Sequence, residues 1–217
     1  MWHVEYPDTR IQEKGGYLEM IQIWLRSPGS VRELAPTYQD IKENLFPVLV
    51  TFDYKIKVLA GTHQTRDSST NEEKLLISPI KSESDVLFLD IELNEKSNLL
   101  LPVDKNYDIY IYLYKGNFGF FGPDQTKLSY SDCLKFKKTD SERSFISATG
   151  SNSGKISFLL IGVTKIDESF VKKNSFVAGS SDQLKTLFWQ YENKKIAKMK
   201  PIYLKSFQDS DVEENSS

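Results

Sequence analysis

Over most of this chain, apolar residues recur at every second position in short runs separated by polar turns, a pattern that predicts many short β-strands. From residue 48 onward the predicted strands are 48–52, 54–60, 75–77, 86–93, 107–115, 118–121, 133–136, 145–148 and 156–161. Two of them alternate cleanly. In 86–93 the set Leu87, Leu89, Ile91 and Leu93 faces one way, with Asp90 and Glu92 opposite. In 107–115 the set Ile109, Ile111 and Leu113 opposes Tyr110, Tyr112 and Tyr114. Gly116-Asn117 predicts a tight hairpin into 118–121. Many short strands broken by turns indicate a sandwich or barrel.

The ends of the chain read differently. Residues 17–25 follow the turn signal Lys14-Gly15-Gly16 and alternate for most of their length, so a strand is expected there. The dense set Met20, Ile21, Ile23, Trp24 and Leu25 predicts burial on both faces over part of it. Residues 34–44, with Pro36, suit an irregular crossing segment, and 38–45 suits one short helical turn. Residues 62–74 are mostly polar and are expected to form a surface loop carrying His63. Ser180 with Gln183 makes an N-terminal capping signal. Leu184, Leu187, Phe188 and Tyr191 follow at helical spacing, predicting an amphipathic helix of roughly 182–195 on the barrel. The tail, 206–217, has little apolar content to order it.

Composition narrows the class. The chain has 217 residues, 39% of them hydrophobic, enough for one ample core. Its net charge of -2, from 28 basic and 30 acidic residues, gives no whole-chain pull toward nucleic acid or an anionic membrane, so direct nucleic-acid binding is not expected. No apolar run approaches the ~20 residues of a membrane helix. A single cysteine and no secretory leader pattern at Met1 lead us to expect an intracellular protein.

Candidate chemistry is sparse. His3 and Glu5 stand two residues apart, which on a strand directs both side chains to one face. A histidine and a carboxylate together can bind a divalent metal, but zinc and non-haem iron sites take about three or four protein ligands. The remaining histidine, His63, is expected to be an exposed loop residue, and Cys133 a small core residue. Tyr110, Tyr112 and Tyr114 could line a ligand cavity, but packing is the favoured reading. Lys135, Lys137, Lys138 and Arg143 suit either a phosphate or acidic partner or a lysine-protected edge strand. No glycine-rich phosphate loop, paired-cysteine zinc spacing or nucleophile elbow occurs.

Several segments, in order, resemble the pirin family of two-domain cupins. His3-Val4-Glu5-Tyr6-Pro7 is similar to the His-x-Glu-x-Pro that closes the family's N-terminal cupin and carries a histidine and a glutamate to iron. Gln22-Ile23-Trp24-Leu25 resembles the strand after it, and Pro36-Thr37-Tyr38-Gln39 the Pro-x-Tyr-Gln that follows. Val58-Leu59-Ala60-Gly61 looks like the opening of the C-terminal cupin. Phe158-Leu159-Leu160-Ile161-Gly162 and Asn174-Ser175-Phe176-Val177 resemble the family's last strand and the Gly-Pro-Phe-Val before its final helix, although Asn174-Ser175 replaces Gly-Pro.

The resemblance implies an all-β protein: a cupin-type double-stranded β-helix with a C-terminal α-helix and remnant strands of a second cupin. Residues 1–46 would be the N-terminal remnant, 47–200 the C-terminal cupin and 201–217 a tail. In the family, iron is held by three histidines and a glutamate. His3 and Glu5 would be the last two ligands, and the family's His-Pro-His segment has no counterpart here, so the pair alone reads as a vestige unless another chain completes it. The C-terminal cupin is expected to be packed and metal-free. The functional expectation is a non-catalytic, transcription-cofactor-type binding module in nucleus or cytoplasm, partnered by a transcription factor or by a chain that completes the N-terminal cupin. The alternative is an iron-dependent quercetin 2,3-dioxygenase.

Overall fold

Alternating aliphatic and polar residues favour extended backbone wherever one face can be buried, and strands dominate the structure accordingly. The computed structural model describes residues 7, 9–32, 37–66, 73–136, 144–193 and 195. In chain order the elements are α1 (Thr9–Lys14), α2 (Gly29–Arg32), a single 3-10 turn (Glu43–Leu45), β1 (Val48–Val50), β2 (Tyr54–Ala60), β3 (Thr62–Arg66), β4 (Glu73–Ile77) and β5 (Val86–Leu93). They continue with β6 (Asn98–Val103), β7 (Tyr107–Lys115), β8 (Phe118–Phe121), β9 (Thr126–Ser129), β10 (Cys133–Phe136), β11 (Ser144–Gly150) and β12 (Ile156–Thr164). Last come β13 (Val171–Lys173), β14 (Phe176–Ala178) and α3 (Ser181–Glu192). The chain divides into two compact units, Leu25–Glu168 and the combination of Met1–Trp24 with Ser169–Ser217.

In the unit Leu25–Glu168, a six-stranded sheet of order β1-β2-β5-β12-β7-β10 lies against a four-stranded sheet of order β6-β11-β8-β9. Every pairing is antiparallel. The two cleanly alternating strands flank β12, which pairs Leu160 with both Leu89 and Ile111. Their aliphatic faces turn inward, and Val58, Leu89, Ile91, Leu93, Ile111, Leu113, Phe158 and Leu160 are all sealed from solvent. Phe121 of β8 meets Phe158 of β12 edge-to-face, with ring centroids 5.0 Å apart, tying one sheet to the other. Each such buried side chain contributes about 1.5–3 kcal/mol. The architecture is all-β, as the pattern predicts, and is the cupin-type double-stranded β-helix that the family resemblance implies.

Several local expectations are corrected. Gly116-Asn117 is not a hairpin: β7 pairs with β12 and β10, β8 pairs with β9 and β11, and the two residues carry the chain from one sheet to the other. Residues 98–103 form an additional strand in which Leu99 and Leu101 point into the core while Leu100 and Pro102 point out. Residues 126–129 form another, burying Leu128. Residues 17–25 adopt no regular strand, and Tyr17, Met20 and Trp24 are exposed. Cys133 is exposed rather than in the core, because the phase of β10 directs Leu134 and Phe136 inward instead. His63 lies in a strand, not a loop, and is buried.

In the other unit, β13 and β14 form a hairpin in which Lys173 faces Phe176 across Asn174-Ser175. Asn174 has φ +53°, a left-handed conformation that asparagine tolerates, so this turn needs no glycine. Helix α3 packs on the hairpin through Phe188 and Tyr191, with ring centroids 4.5 and 5.4 Å from that of Phe176. The predicted cap is present. Ser180 accepts from the Gln183 N–H at 3.2 Å, and the Gln183 side chain accepts from the Gly179 N–H at 3.0 Å.

Candidate functional site

The unit Leu25–Glu168 carries a cleft of about 770 Å³ between the β3–β4 hairpin, strand β6 and the turn after it. Gly61, at φ +78°, turns the chain from β2 into β3, and a Cβ there would collide with the carbonyl oxygen of Val86. Ser78 fixes the same end of the hairpin from the other strand, its N–H donating to the Gly61 carbonyl at 3.0 Å and its hydroxyl to the Leu59 carbonyl at 2.7 Å. Next to this fixed end His63 stands opposite Leu76, and both turn inward.

His63 is the chemically distinctive group. It is 3% exposed and lines the cleft. Burial holds its pKa below the ordinary histidine value, so the ring is neutral at pH 7. Apolar walls come from Ile56, Leu99, Leu101 and Val103, with Tyr54 and Phe145 alongside. Glu73, Asp104 and Lys105 supply the charged part of the lining. Glu73 lies on the opposite hairpin face from His63, where its carboxylate accepts from the Gln64 side chain at 2.8 Å.

The other candidates are placed as follows. His3, Glu5, Lys137, Lys138 and Arg143 lie outside the described residues. Tyr110, Tyr112 and Tyr114 stand half-buried on the face of β7 away from the core, and none lines the cleft. The Tyr114 hydroxyl donates to Asp90 at 2.7 Å, and burial together with that carboxylate raises its pKa. Lys135, on the edge strand β10, pairs with Asp108 at 3.3 Å; its hydrogen bonds to Tyr110 and Asp108 raise its pKa. A lysine on the last strand of the sheet fits edge protection.

Residues 88–197 match the pirin C-terminal cupin domain. The chain belongs to the pirin family. It is 25% identical over 191 residues to a pirin-like protein of Arabidopsis thaliana, covering 88% of this chain and 64% of that protein. A Pseudomonas aeruginosa protein assigned by name to the quercetin 2,3-dioxygenases is 22% identical over 193 residues, covering 88% and 61%. The crystal structure of an Acinetobacter baumannii quercetin 2,3-dioxygenase superposes with a TM-score of 0.66 at 12% identity, covering 81% of this chain and 56% of that one, which shows the shared cupin fold. The chain spans less than two thirds of the length of both curated relatives.

Relatives of the quercetin dioxygenase type imply a metal. Among the described residues no group of three or more His, Cys, Asp and Glu side chains is arranged to hold a metal ion. His63 has Leu76 opposite it on the inner hairpin face, and Glu73 lies on the outer one. The described residues do not fit an iron centre.

Proposed function

We propose that this pirin-family chain is a non-catalytic binding module. The observation that carries this reading is that His3-Val4-Glu5-Tyr6-Pro7 resembles only the last two of the family's four iron ligands, while the C-terminal cupin is filled. Ile56, Leu89, Ile91, Ile111, Leu113 and Phe158 occupy its interior, where a catalytic cupin needs polar ligands and room for a substrate. A core packed in this way stabilises the fold and leaves the outer surface for recognition. The partner in this reading is a transcription factor, or a chain that completes the N-terminal cupin, in nucleus or cytoplasm. Among the described residues no helix is long and apolar enough to cross a membrane.

Quercetin turnover by the purified chain with added Fe(II) tests this reading. The expected result is a rate no higher than that of Fe(II) alone. Turnover above that background, lost in His3→Ala, would replace this proposal with an iron-dependent quercetin 2,3-dioxygenase. That second reading is favoured by the likeness of His3-Val4-Glu5-Tyr6-Pro7 to the family's ligand motif and by the name of the Pseudomonas relative.

A further inference from the structure

We infer that the edge strand β1 is a dimerisation surface, which pairs antiparallel with β1 of a second copy of this chain. Strand β1 ends the six-stranded sheet, and no strand pairs with its outer side among the described residues. The Thr51 N–H donates to the Tyr54 carbonyl at 2.9 Å and the Val58 N–H to the Pro47 carbonyl at 3.0 Å, so the positions bonded to β2 are Pro47, Leu49 and Thr51. The backbone N–H and carbonyl groups of Val48 and Val50 therefore point away from the sheet. Their side chains stand on its outer face, 38% and 70% exposed, while Leu49 packs on the core. The other strands that end the two main sheets carry a lysine or a proline: Lys135 in β10, Pro102 in β6 and Lys127 in β9. Strand β1 carries neither.

The sequence selects the occupant. Phe46-Pro47-Val48-Leu49-Val50-Thr51-Phe52 is nearly symmetric about Leu49. A two-fold axis through Leu49 sets Val48 opposite the partner's Val50 and Val50 opposite the partner's Val48, with their outward N–H and carbonyl groups facing one another. Pro47 lacks an N–H, but it falls opposite the partner's Thr51, where no hydrogen bond crosses between the copies. Phe52, 94% exposed at the β1–β2 turn, falls opposite the partner's Phe46, so apolar side chains meet along the whole edge. Behind the edge, Lys55 and Lys57 are already paired with Glu92 at 3.5 Å and Glu43 at 2.7 Å, so the copies meet without uncompensated charge. The pairing is isologous; it closes at the dimer and consumes the exposed edge. It is independent of metal binding and of the partner proposed above.

Sedimentation equilibrium of the full chain over a range of concentrations tests this interface. The expected result is a reversible monomer–dimer equilibrium with no larger species. Val50→Lys, at a side chain that meets solvent rather than the core, should raise the dissociation constant about tenfold or more, because the change enters the symmetric interface twice. Leu100→Lys, at a comparably exposed leucine on β6, is expected to leave it unchanged. The register is read by Leu49→Cys in a Cys133→Ser background. The axis then brings two cysteines together with Cα atoms about 4.5 Å apart, within disulfide reach, and mild oxidation should give a covalent dimer. A monomer at every concentration, which would leave the edge to an extended segment of another protein, would overturn the inference. So would a dimer that Val50→Lys does not weaken or that Leu100→Lys weakens as much, or a Leu49→Cys protein that dimerises without cross-linking. Because Val50 lies outside the core, the test stands even if Leu49→Cys fails to fold.

Discussion

At the scale of single residues, His63 links fold to solution behaviour. Its folded-state pKa is lowered by burial, so in acid the unfolded chain binds a proton that the native chain resists. Stability attributable to this residue is complete above the unfolded histidine pKa of about 6.5 and is lost as pH falls toward the lower folded value. Over that window the slope from this one group cannot exceed about 1.4 kcal/mol per pH unit. Urea unfolding between neutral pH and pH 5 should show this loss in the native chain and a shallower dependence in His63→Leu; identical slopes would mean that the ring is already charged or solvated. Tyr54, Glu73, Asp104 and Lys105 line the same cleft, and the variant isolates the histidine from them. The sequence concealed His63 for a physical reason. In Thr62-His63-Gln64-Thr65-Arg66 nothing apolar alternates, so a strand with one buried polar position looks like a loop. Cys133 was misplaced by one step of phase, since a four-residue strand with both Cys133 and Leu134 as apolar candidates can turn either inward.

At the scale of elements, what was legible depended on where a strand sits in its sheet. Central strands β5 and β7 are buried along one full face and display their alternation openly, whereas β12 between them is buried on both faces from Ile156 to Leu160 and reads as a nearly continuous apolar run. Edge strands do not. Strand β6 is the end strand of its sheet and contains Pro102, which an edge accommodates because no ladder partner is needed on one side. Strand β9 buries one residue, Leu128, and lies at the opposite edge. The converse failure is residues 17–25, whose alternation suits a strand but which pair with no strand among the described residues. Helix α3 was legible because its cap is a local signal, independent of any neighbour. Ser180→Ala should destabilise this helix by about 0.5–2 kcal/mol, read as faster amide exchange across residues 181–192 with the strands of the other unit unchanged. Unaltered exchange there would show that the cap adds nothing beyond the packing of Phe188 and Tyr191 on Phe176.

At the scale of the whole molecule, the family was legible because its motifs are spread in order along the chain, and residues 88–197 carry the family's C-terminal cupin. Function is less legible, since it depends on whether polar ligands converge. In the unit Leu25–Glu168 the inner faces of two sheets meet in an aliphatic and aromatic core, and the polar group of most interest lies at a cleft rather than within that core. The central proposal is that this polypeptide is a binding module without a metal centre of its own. Calorimetric titration of Fe(II), under anaerobic conditions, into the full chain and into His3→Ala tests it most directly. The account predicts weak uptake, without a stoichiometric site and equal in both proteins; one tightly bound Fe(II) per chain, lost in His3→Ala, would contradict it.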